Sequence, residues 1–452
     1  METKTTDKRW SENYERMFSA SKGMFTINPL TGKAEMKSGK GNWRNLVNVM
    51  VRAARVIDVR KTERETFNSE NATSGLKQIV TWPGGKKNEL KYIYPNLPSY
   101  DRYFEPFVGG GSVYMGINAN EYYINDFSTD LISLYRYIAT NDLDFFRHAT
   151  IIDKSWKKAK DFSNNVVNSL FDIYHQFKGD DLTFDEVKNI VSNFCQDKSE
   201  EILELISEYQ HLPTILLSEM EKNICRKMRY LKKENVSGFV DFQKIMEASI
   251  KGALYNNYRN LYNNKYIEET NSALHSALFF FIRQTVRGGM FGYNKKGEFN
   301  MGYGGIGENK TNLLNKLEEY GSEAVKEHFR NTHIYNLDFE DFLRKTNPAE
   351  NDFIFLDPPY DDTFSTYDAN DFNRKDHQRL ASYLLNDCKA KWMMIIKKTD
   401  FIYNLYKKAG IYFQTYGKTY ICNMGKDGMR TETTHMLITN YTPKSETYRM
   451  AA

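Results

Sequence analysis

The chain has 452 residues, 40% of them hydrophobic and 27% charged, with a formal net charge of +4. That length and mix exclude a disordered chain and point to two or three folded units. The charge is uneven: residues 1–75 hold fourteen Lys or Arg against nine Asp or Glu, a net +5, which leaves −1 for the rest.

The N-terminal stretch METKTTDKRWSENYERMF has no apolar segment, so no secretory signal is expected. No apolar run reaches the roughly 18 residues of a membrane-spanning helix. Cys195, Cys225, Cys388 and Cys422 are scattered without a CxxC pair. Neither a disulfide nor a zinc site is expected, and a reducing cytoplasm fits. Residues 1–75 read as a basic extension, either a phosphate-contacting arm or a solvated surface helix. Within it, Leu46, Val49, Met50, Ala53 and Val56 follow helical spacing over Asn42–Lys61. The polar stretch TFNSENATSG then reads as a linker.

From Leu76 to about Ile138 the pattern is α/β. DRYFEPF is a short strand running into a Gly-rich turn, and GSVYMGINAN can start a helix. EYYIND is a second strand, followed by the helix STDLISLYRYI with Ser128 or Thr129 as its N-cap. Residues 140–275 have few glycines, only Pro213, and the periodicity of several helices. FGYNKKGEFN has the form of a β-hairpin with Lys295, Lys296 and Gly297 at its turn. Residues 331–452 return to α/β. THIYNLDF, NDFIFLDPPY and KWMMIIKK are strands, separated by helices at DHQRLASYLLND and, later, DFIYNLYKKAG, ended by Gly410. IYFQTYGKTYICN and THMLITNY close the chain as an antiparallel edge pair. Strands alternating with helices imply a mostly parallel sheet covered on both faces.

Three features carry chemistry. Phe104-Glu105-Pro106-Phe107-Val108-Gly109-Gly110-Gly111-Ser112 lies at a strand-to-helix junction, where glycines allow a ligand to approach the backbone. Asp126 ends the next strand about twenty residues on, the position from which an acid accepts bonds from ribose hydroxyls in nucleotide-binding folds. Its competing role is as a helix-capping acid. Asp357-Pro358-Pro359-Tyr360 follows the apolar strand Phe353–Leu356. The prolines stiffen a loop at the sheet's carboxyl edge, where open α/β sheets bind ligands. An amino group with two N–H donors can bond to the Asp357 carboxylate and the Pro358 carbonyl while Tyr360 stacks on its ring.

In these motifs and their order the sequence resembles the Dam-type, or alpha-group, DNA adenine-N6 methyltransferases. The resemblance covers about residues 76–138 and 276–441. It includes Thr81-Trp82-Pro83-Gly84-Gly85-Lys86, FEPFVGGGSV, INDFSTDLISLY, YNKKGEFN, FLDPPY and the terminal LITNY. It implies a Rossmann-like methyltransferase sheet with an inserted, mainly helical DNA-recognition domain carrying the hairpin. It also implies S-adenosylmethionine as cofactor, no metal, and methyl transfer to the N6 amino group of a flipped adenine in double-stranded DNA. Trp82 and Lys86 then border the cofactor's methionine end. Glu105, Phe107, Gly109 and Gly111 belong to the main cofactor loop, Asp126 is the ribose acid, and Asp338-Phe339 lie beside the cofactor's adenine. Asp357 touches both cofactor and base. Tyr293, Asn294, Lys295, Lys296 and Asn300 belong to the element that enters DNA, and Phe364–Tyr367 resemble a loop that closes after DPPY.

The implied division is a basic extension at 1–75, a catalytic domain at 76–139 and 331–452, and a recognition domain at 140–330. The chain departs from the pattern in its long 140–275 region and in Ile396-Lys397-Lys398, where members often carry Ser-Asn. Those departures leave the transfer chemistry intact and bear on the recognition sequence, and a cognate restriction enzyme stays open as a partner. Cytosine N4 transfer, RNA adenine transfer and a catalytically silent DNA-binding protein stay open as alternatives. Ser-Pro-Pro-Tyr would be more usual for the first and Asn-Pro-Pro for the second.

Overall fold

A computed structural model describes residues 25–27, 34–36, 66–361, 372–422, 429–444 and 449–450. The chain divides into Met1–Glu65 and Thr66–Ala452. In the first unit β1 (Phe25–Ile27) pairs antiparallel with β2 (Ala34–Met36). The helix expected over Asn42–Lys61 lies outside the described residues, as does the Phe364–Tyr367 segment.

The second unit begins with an irregular segment that bridges at Phe67 to Tyr100 and at Thr73 to Ile117, then the short α1 (Leu90–Ile93). β3 (Arg102–Glu105) is followed by only a single 3-10 turn, Tyr114–Gly116, before β4 (Glu121–Asn125). The helix expected from GSVYMGINAN does not form. Its polar groups are used laterally instead: Ser74 N donates to the Gly116 carbonyl at 3.0 Å, and the Asn118 side-chain Nδ2 donates to the Thr73 carbonyl at 3.1 Å. Ile117 is already extended.

α2 (Thr129–Ala139) starts at Ser128, as the capping residues foretell. Then come α3 (Leu143–Lys178), α4 (Phe184–Asp197), α5 (Ser199–Glu204), α6 (Leu216–Lys233), α7 (Phe239–Tyr262), α8 (Lys265–Thr270) and α9 (Ser272–Thr285). Asp142 caps α3, and a Thr183–Glu186 capping box opens α4. After the hairpin, α10 (Leu313–Tyr320) and α11 (Glu323–Arg330) lead into β5 (Thr332–Tyr335), α12 (Phe339–Thr346) and β6 (Phe353–Leu356). α13 (Arg374–Ser382), β7 (Lys391–Lys397), α14 (Asp400–Tyr406), β8 (Tyr412–Cys422), β9 (Met429–Thr439) and the two-residue β10 (Arg449–Met450) complete the chain. α14 stops short of Gly410: Lys407 is extended, and Gly410, at φ 85°, makes the turn into β8.

The sheet order is β10-β8-β9-β7-β6-β3-β4-β5. β7, β6, β3, β4 and β5 run parallel, while β9, β8 and β10 are each antiparallel to their neighbours. Strands alternate their side chains between two cores. Tyr103, Ile124, Phe353, Phe355, Met393, Ile395 and Leu437 share one core with the helices of the 140–330 region. Phe104, Ile354, Leu356, Trp392, Met394, Ile396, Met436 and Ile438 face the other, under α12, α13 and α14. This period of two is why FIFL is apolar throughout: both faces are covered. From β3 the chain adds β4 and β5 on one side and β6 and β7 on the other, so order reverses between β3 and β6. A crevice opens at the carboxyl ends of strands at such a point.

Candidate active site

The loops after β3 and β6 leave the sheet at that crevice. The first is held by its neighbours. Val108 N donates to the Asn125 carbonyl at 2.9 Å, and Gly109 N to Asp126 Oδ2 at 2.9 Å. Gly109 has φ 48° and Gly111 φ 75°, so both sit in the left-handed region. Gly109 has a second reason to lack a side chain: a Cβ there would lie 2.9 Å from Trp82 Cδ1. Trp82, from the TWPGGK turn, thus packs directly beneath the glycine loop. Asp126 also accepts from Ser128 N at 3.0 Å. Its carboxylate is therefore both a loop fastener and a cap of α2, oriented at the end of β4 by two backbone amides.

Glu105 is buried and accepts from the Tyr103 hydroxyl at 2.7 Å. Burial pushes its carboxyl well above the ordinary range, and the neighbouring Asp357 and Asp126 push the same way. Phe107 packs on Phe339 and Phe372, with centroids 5.6 Å away in both cases. Asp338 N-caps α12 through Glu340 N at 2.9 Å and pairs with Arg379 at 2.7 Å.

At the second loop, Lys86 reaches across from the TWPGGK turn. Its Nζ lies 2.5 Å from Asp357 Oδ2 and donates to the Gly84 carbonyl at 2.6 Å. It is 3.4 Å from the Tyr360 hydroxyl and 5.6 Å from the ring's centre. Lys86 is only 2% exposed. Burial raises the Asp357 carboxyl above its usual range, and the Lys86 charge and hydrogen bond oppose that rise. Behind this pair, Lys418 of β8 is ion-paired with buried Glu89. Tyr360 meets His435 of β9 edge to face, with centroids 5.3 Å apart and planes at 90°. Burial, reinforced by Lys418, Lys86 and Lys397, lowers His435 to about 3, so it stays neutral. The ring is thus fixed from two sides at the crevice.

The hairpin forms. Tyr293 bridges Phe299, Asn294 N donates to the Glu298 carbonyl at 2.9 Å, and Gly297 turns with φ 77°. Lys295 and Lys296 are exposed at its tip. Asn263, following α7, holds it through both backbone groups of Phe299, each at 2.9 Å.

Trp82, Lys86, Glu105, Phe107, Gly109, Gly111, Asp126 and Asp357–Tyr360, expected at one edge of the sheet, lie together there. Three further residues brace that edge without having been expected from the sequence. Asn125, 1% exposed, donates to the carbonyls of Pro106 and Leu337, each at 3.0 Å, and accepts from Leu337 N at 2.9 Å. It stitches together the loops following β3, β4 and β5. Arg283 of α9, 1% exposed, donates to the carbonyls of Thr81 at 3.0 Å, Gly289 at 2.6 Å and Met290 at 3.0 Å. Its guanidinium lies 3.8 Å from the centre of the Phe291 ring. It ties the turn that carries Lys86 to the base of the hairpin. His435 is the third. Only a polar residue within or beside an apolar run signalled each of them.

Among the described residues, no helix is long and apolar enough to cross a membrane. Residues 82–190 and 182–419 match the D12 class N6 adenine-specific DNA methyltransferases. The type II methyltransferase M.CviBI of Paramecium bursaria Chlorella virus NC1A is 24% identical over 371 residues, covering 81% of this chain and 100% of that protein. The type II methyltransferase M.MjaIII of Methanocaldococcus jannaschii is 25% identical over 350 residues, 74% of this chain and 88% of that one. A DNA adenine methylase of Serratia marcescens is 37% identical over 73 residues, 16% of this chain and 27% of that one. With the match spanning most of the chain and both halves of the crevice, the chain belongs to the D12 class N6 adenine-specific DNA methyltransferases, enzymes that methylate adenine in DNA at N6.

Proposed function

We propose that the chain takes its methyl group from S-adenosylmethionine and delivers it to an adenine flipped out of duplex DNA. The observation that carries this is the meeting of Lys86, Asp357 and Tyr360 beside the glycine loop. The donor, when bound, supplies an electrophilic methyl on a sulfonium sulfur. The residues present fit such a donor. A left-handed glycine turn over Trp82 gives a surface without side chains, and Asp126 is aimed from the end of β4 for ribose hydroxyls. Trp82, Lys86, Glu105, Phe107, Gly109, Gly111, Asp126, Asp338, Phe339 and Asp357 form this binding set. Glu105 and Asp338 act through the loops they brace.

Lys86 occupies Oδ2 of Asp357, which leaves Oδ1 and the Pro358 carbonyl to accept the two N–H bonds of the adenine amino group. Held so, the nitrogen lone pair projects from the ring plane. As the N–C bond forms and the methyl's bond to the donor sulfur would break to leave a thioether, positive charge grows on nitrogen; the Asp357 carboxylate stabilises it, and the nitrogen then gives up one proton to become the neutral methylamino group. Pro359 stiffens the loop, and Tyr360 stacks on the base. Alignment and charge acceptance supply the catalysis, with no nucleophilic cysteine.

The domain reading holds residues 1–75 as a basic extension, 76–139 with 331–452 as the catalytic part and 140–330 as the part that recognises DNA. Within it, Tyr293, Asn294, Lys295, Lys296 and Asn300 enter the target. The relatives' type II names support a cognate restriction enzyme acting on the same site, and free Cys195, Cys225 and Cys388 support a reducing cytoplasm.

The test is Asp357→Ala, assayed by tritium transfer from labelled donor to duplex DNA with nucleoside analysis. N6-methyladenine formation should vanish while DNA binding, and the larger part of donor binding carried by the rest of the set, persist. Tyr360→Ala should lose roughly 1–3 kcal/mol of stacking, and Tyr360→Phe much less. Near-normal product from Asp357→Ala would overturn the mechanism.

A further inference from the structure

Beside the hairpin lies a group of cations that the crevice does not use. α6 carries Arg226 and Lys227 one turn after Asn223, and Arg226 Nη2 donates to Asn223 Oδ1 at 2.8 Å. Asn223 is buried against α7 at Gly252. A Cβ at Gly252 would lie 3.6 Å from Asn223 Nδ2 and equally 3.6 Å from Tyr303 Cδ1. Tyr303 in turn bridges Val286, and Arg287 N donates to the Gly302 carbonyl at 3.0 Å. The basic turn of α6 and the base of the hairpin therefore converge across Gly252. Arg226 and Arg287 are exposed, and Lys227 is half-buried.

Burial lowers the Lys227 ammonium below its ordinary range, and the charges of Arg226 and Arg287 lower it further. Among the described residues no carboxylate forms an ion pair with any of the three. That contrasts with the flanking Lys222 and Lys232, paired with Glu219 and Asp180. Three like charges drawn together, one of them partly desolvated, are destabilising in the free protein. An anion arriving with its own charge relieves that repulsion.

We propose that Arg226, Lys227 and Arg287 form a phosphate site that grips the DNA backbone beside the hairpin, so that the inserted helices supply sequence-independent hold. The inference rests on the reading of Tyr293–Asn300 as the element that enters DNA. Backbone contacts of this kind set register and affinity but do not choose the bases.

The experiment uses the full chain and two short duplexes, one with the methylated site found by modification-detecting sequencing and one without. Binding is measured across a salt series for Arg226→Gln/Lys227→Gln and for Arg287→Gln, with thermal melting to verify folding. Affinity should fall by the same factor for both duplexes. The slope of log K against log salt should shrink by about one for each contact removed. The methylated sequence should stay as it was. An unchanged salt slope in folded variants would overturn the site, and so would an altered methylated sequence. Replacing the hairpin tip, Lys295 and Lys296, by Ala is the separate arm. If that leaves the methylated sequence and DNA affinity intact while the cluster variants still lose slope, the hairpin reading fails and the phosphate site stands.

Discussion

Lys86→Met removes the cation bonded to Asp357 while keeping the length of the stem. Lys86 is 2% exposed and its Nζ lies 2.5 Å from Oδ2. Burial already lifts the Asp357 carboxyl, and Lys86 is the first of the effects that hold it down. An opposite charge at such range lowers a carboxyl pKa by about 1–3 units, each worth about 1.4 kcal/mol. Without Lys86 the carboxyl should rise by that amount. The sign follows from the chemistry. The amino group needs an ionised acceptor, so rate climbs with pH through this pKa, and a higher pKa moves the acidic limb to higher pH. On the acidic limb, below both pKa values, Lys86→Met should therefore lose roughly 10-fold to 1,000-fold in kcat/KM and recover it in alkaline buffer. Lys86→Arg should keep the limb near its original place. The assay is the pH profile of single-site methylation at fixed ionic strength, with donor affinity measured separately by calorimetry. If Lys86→Met loses rate with no displacement of the acidic limb, Lys86 does not tune Asp357.

Three further outcomes follow from the same geometry. Asp126→Ala should weaken donor binding by roughly 1–3 kcal/mol through lost ribose bonds and a loosened Gly109 amide, read by calorimetry; full affinity in a folded variant would remove Asp126 from the donor site. Arg283→Met removes three hydrogen bonds from a buried charged group to part-buried carbonyls, worth about 1.5–3 kcal/mol each. Urea unfolding should show a loss of about 3 kcal/mol or more, and wild-type stability would refute the tie. His377 is buried and its pKa is pushed down to about 4, burial being the main cause. Its contribution is present above the ordinary value of about 6.5 and is lost as pH falls from there toward 4. His377→Phe should thus spare about 2 kcal/mol of the stability lost between pH 7 and pH 5, and an unchanged pH dependence would count against a neutral buried imidazole.

The edge that gathers the glycine loop and the DPPY loop was legible because its residues are constrained by backbone as much as by chemistry. Two prolines after FIFL and three glycines after FEPF each mark a place where the chain leaves a buried strand abruptly. Local propensity misled at GSVYMGINAN, where tertiary hydrogen bonds to Ser74 and Thr73 overrode a helical start. The same limit hid Asn125, Arg283 and His435. Each acts on partners far along the chain: Asn125 on Leu337, Arg283 on Thr81, His435 on Tyr360. No period of two or of 3.6 encodes a contact of that span.

The position of the helical insertion bears on how recognition reaches the reacting atoms. It leaves the sheet after β4 and returns at β5, so both of its ends are anchored on adjacent parallel strands. Its side chains share one continuous core with the strands' inner face. A recognition region hung on a flexible linker would place the hairpin loosely over the crevice. Here the hairpin base is held by Arg283 to Thr81, and the same turn carries Lys86 to Asp357. Packed interiors transmit displacement instead of absorbing it. On the reading of the hairpin as the element that enters DNA and of Asp357 as the acceptor of the amino group, a misfit at the hairpin is felt at that carboxylate, and an error of about 1 Å there is enough to cost roughly 100-fold in rate. Discrimination between sites should accordingly appear in the methyl-transfer step as well as in binding.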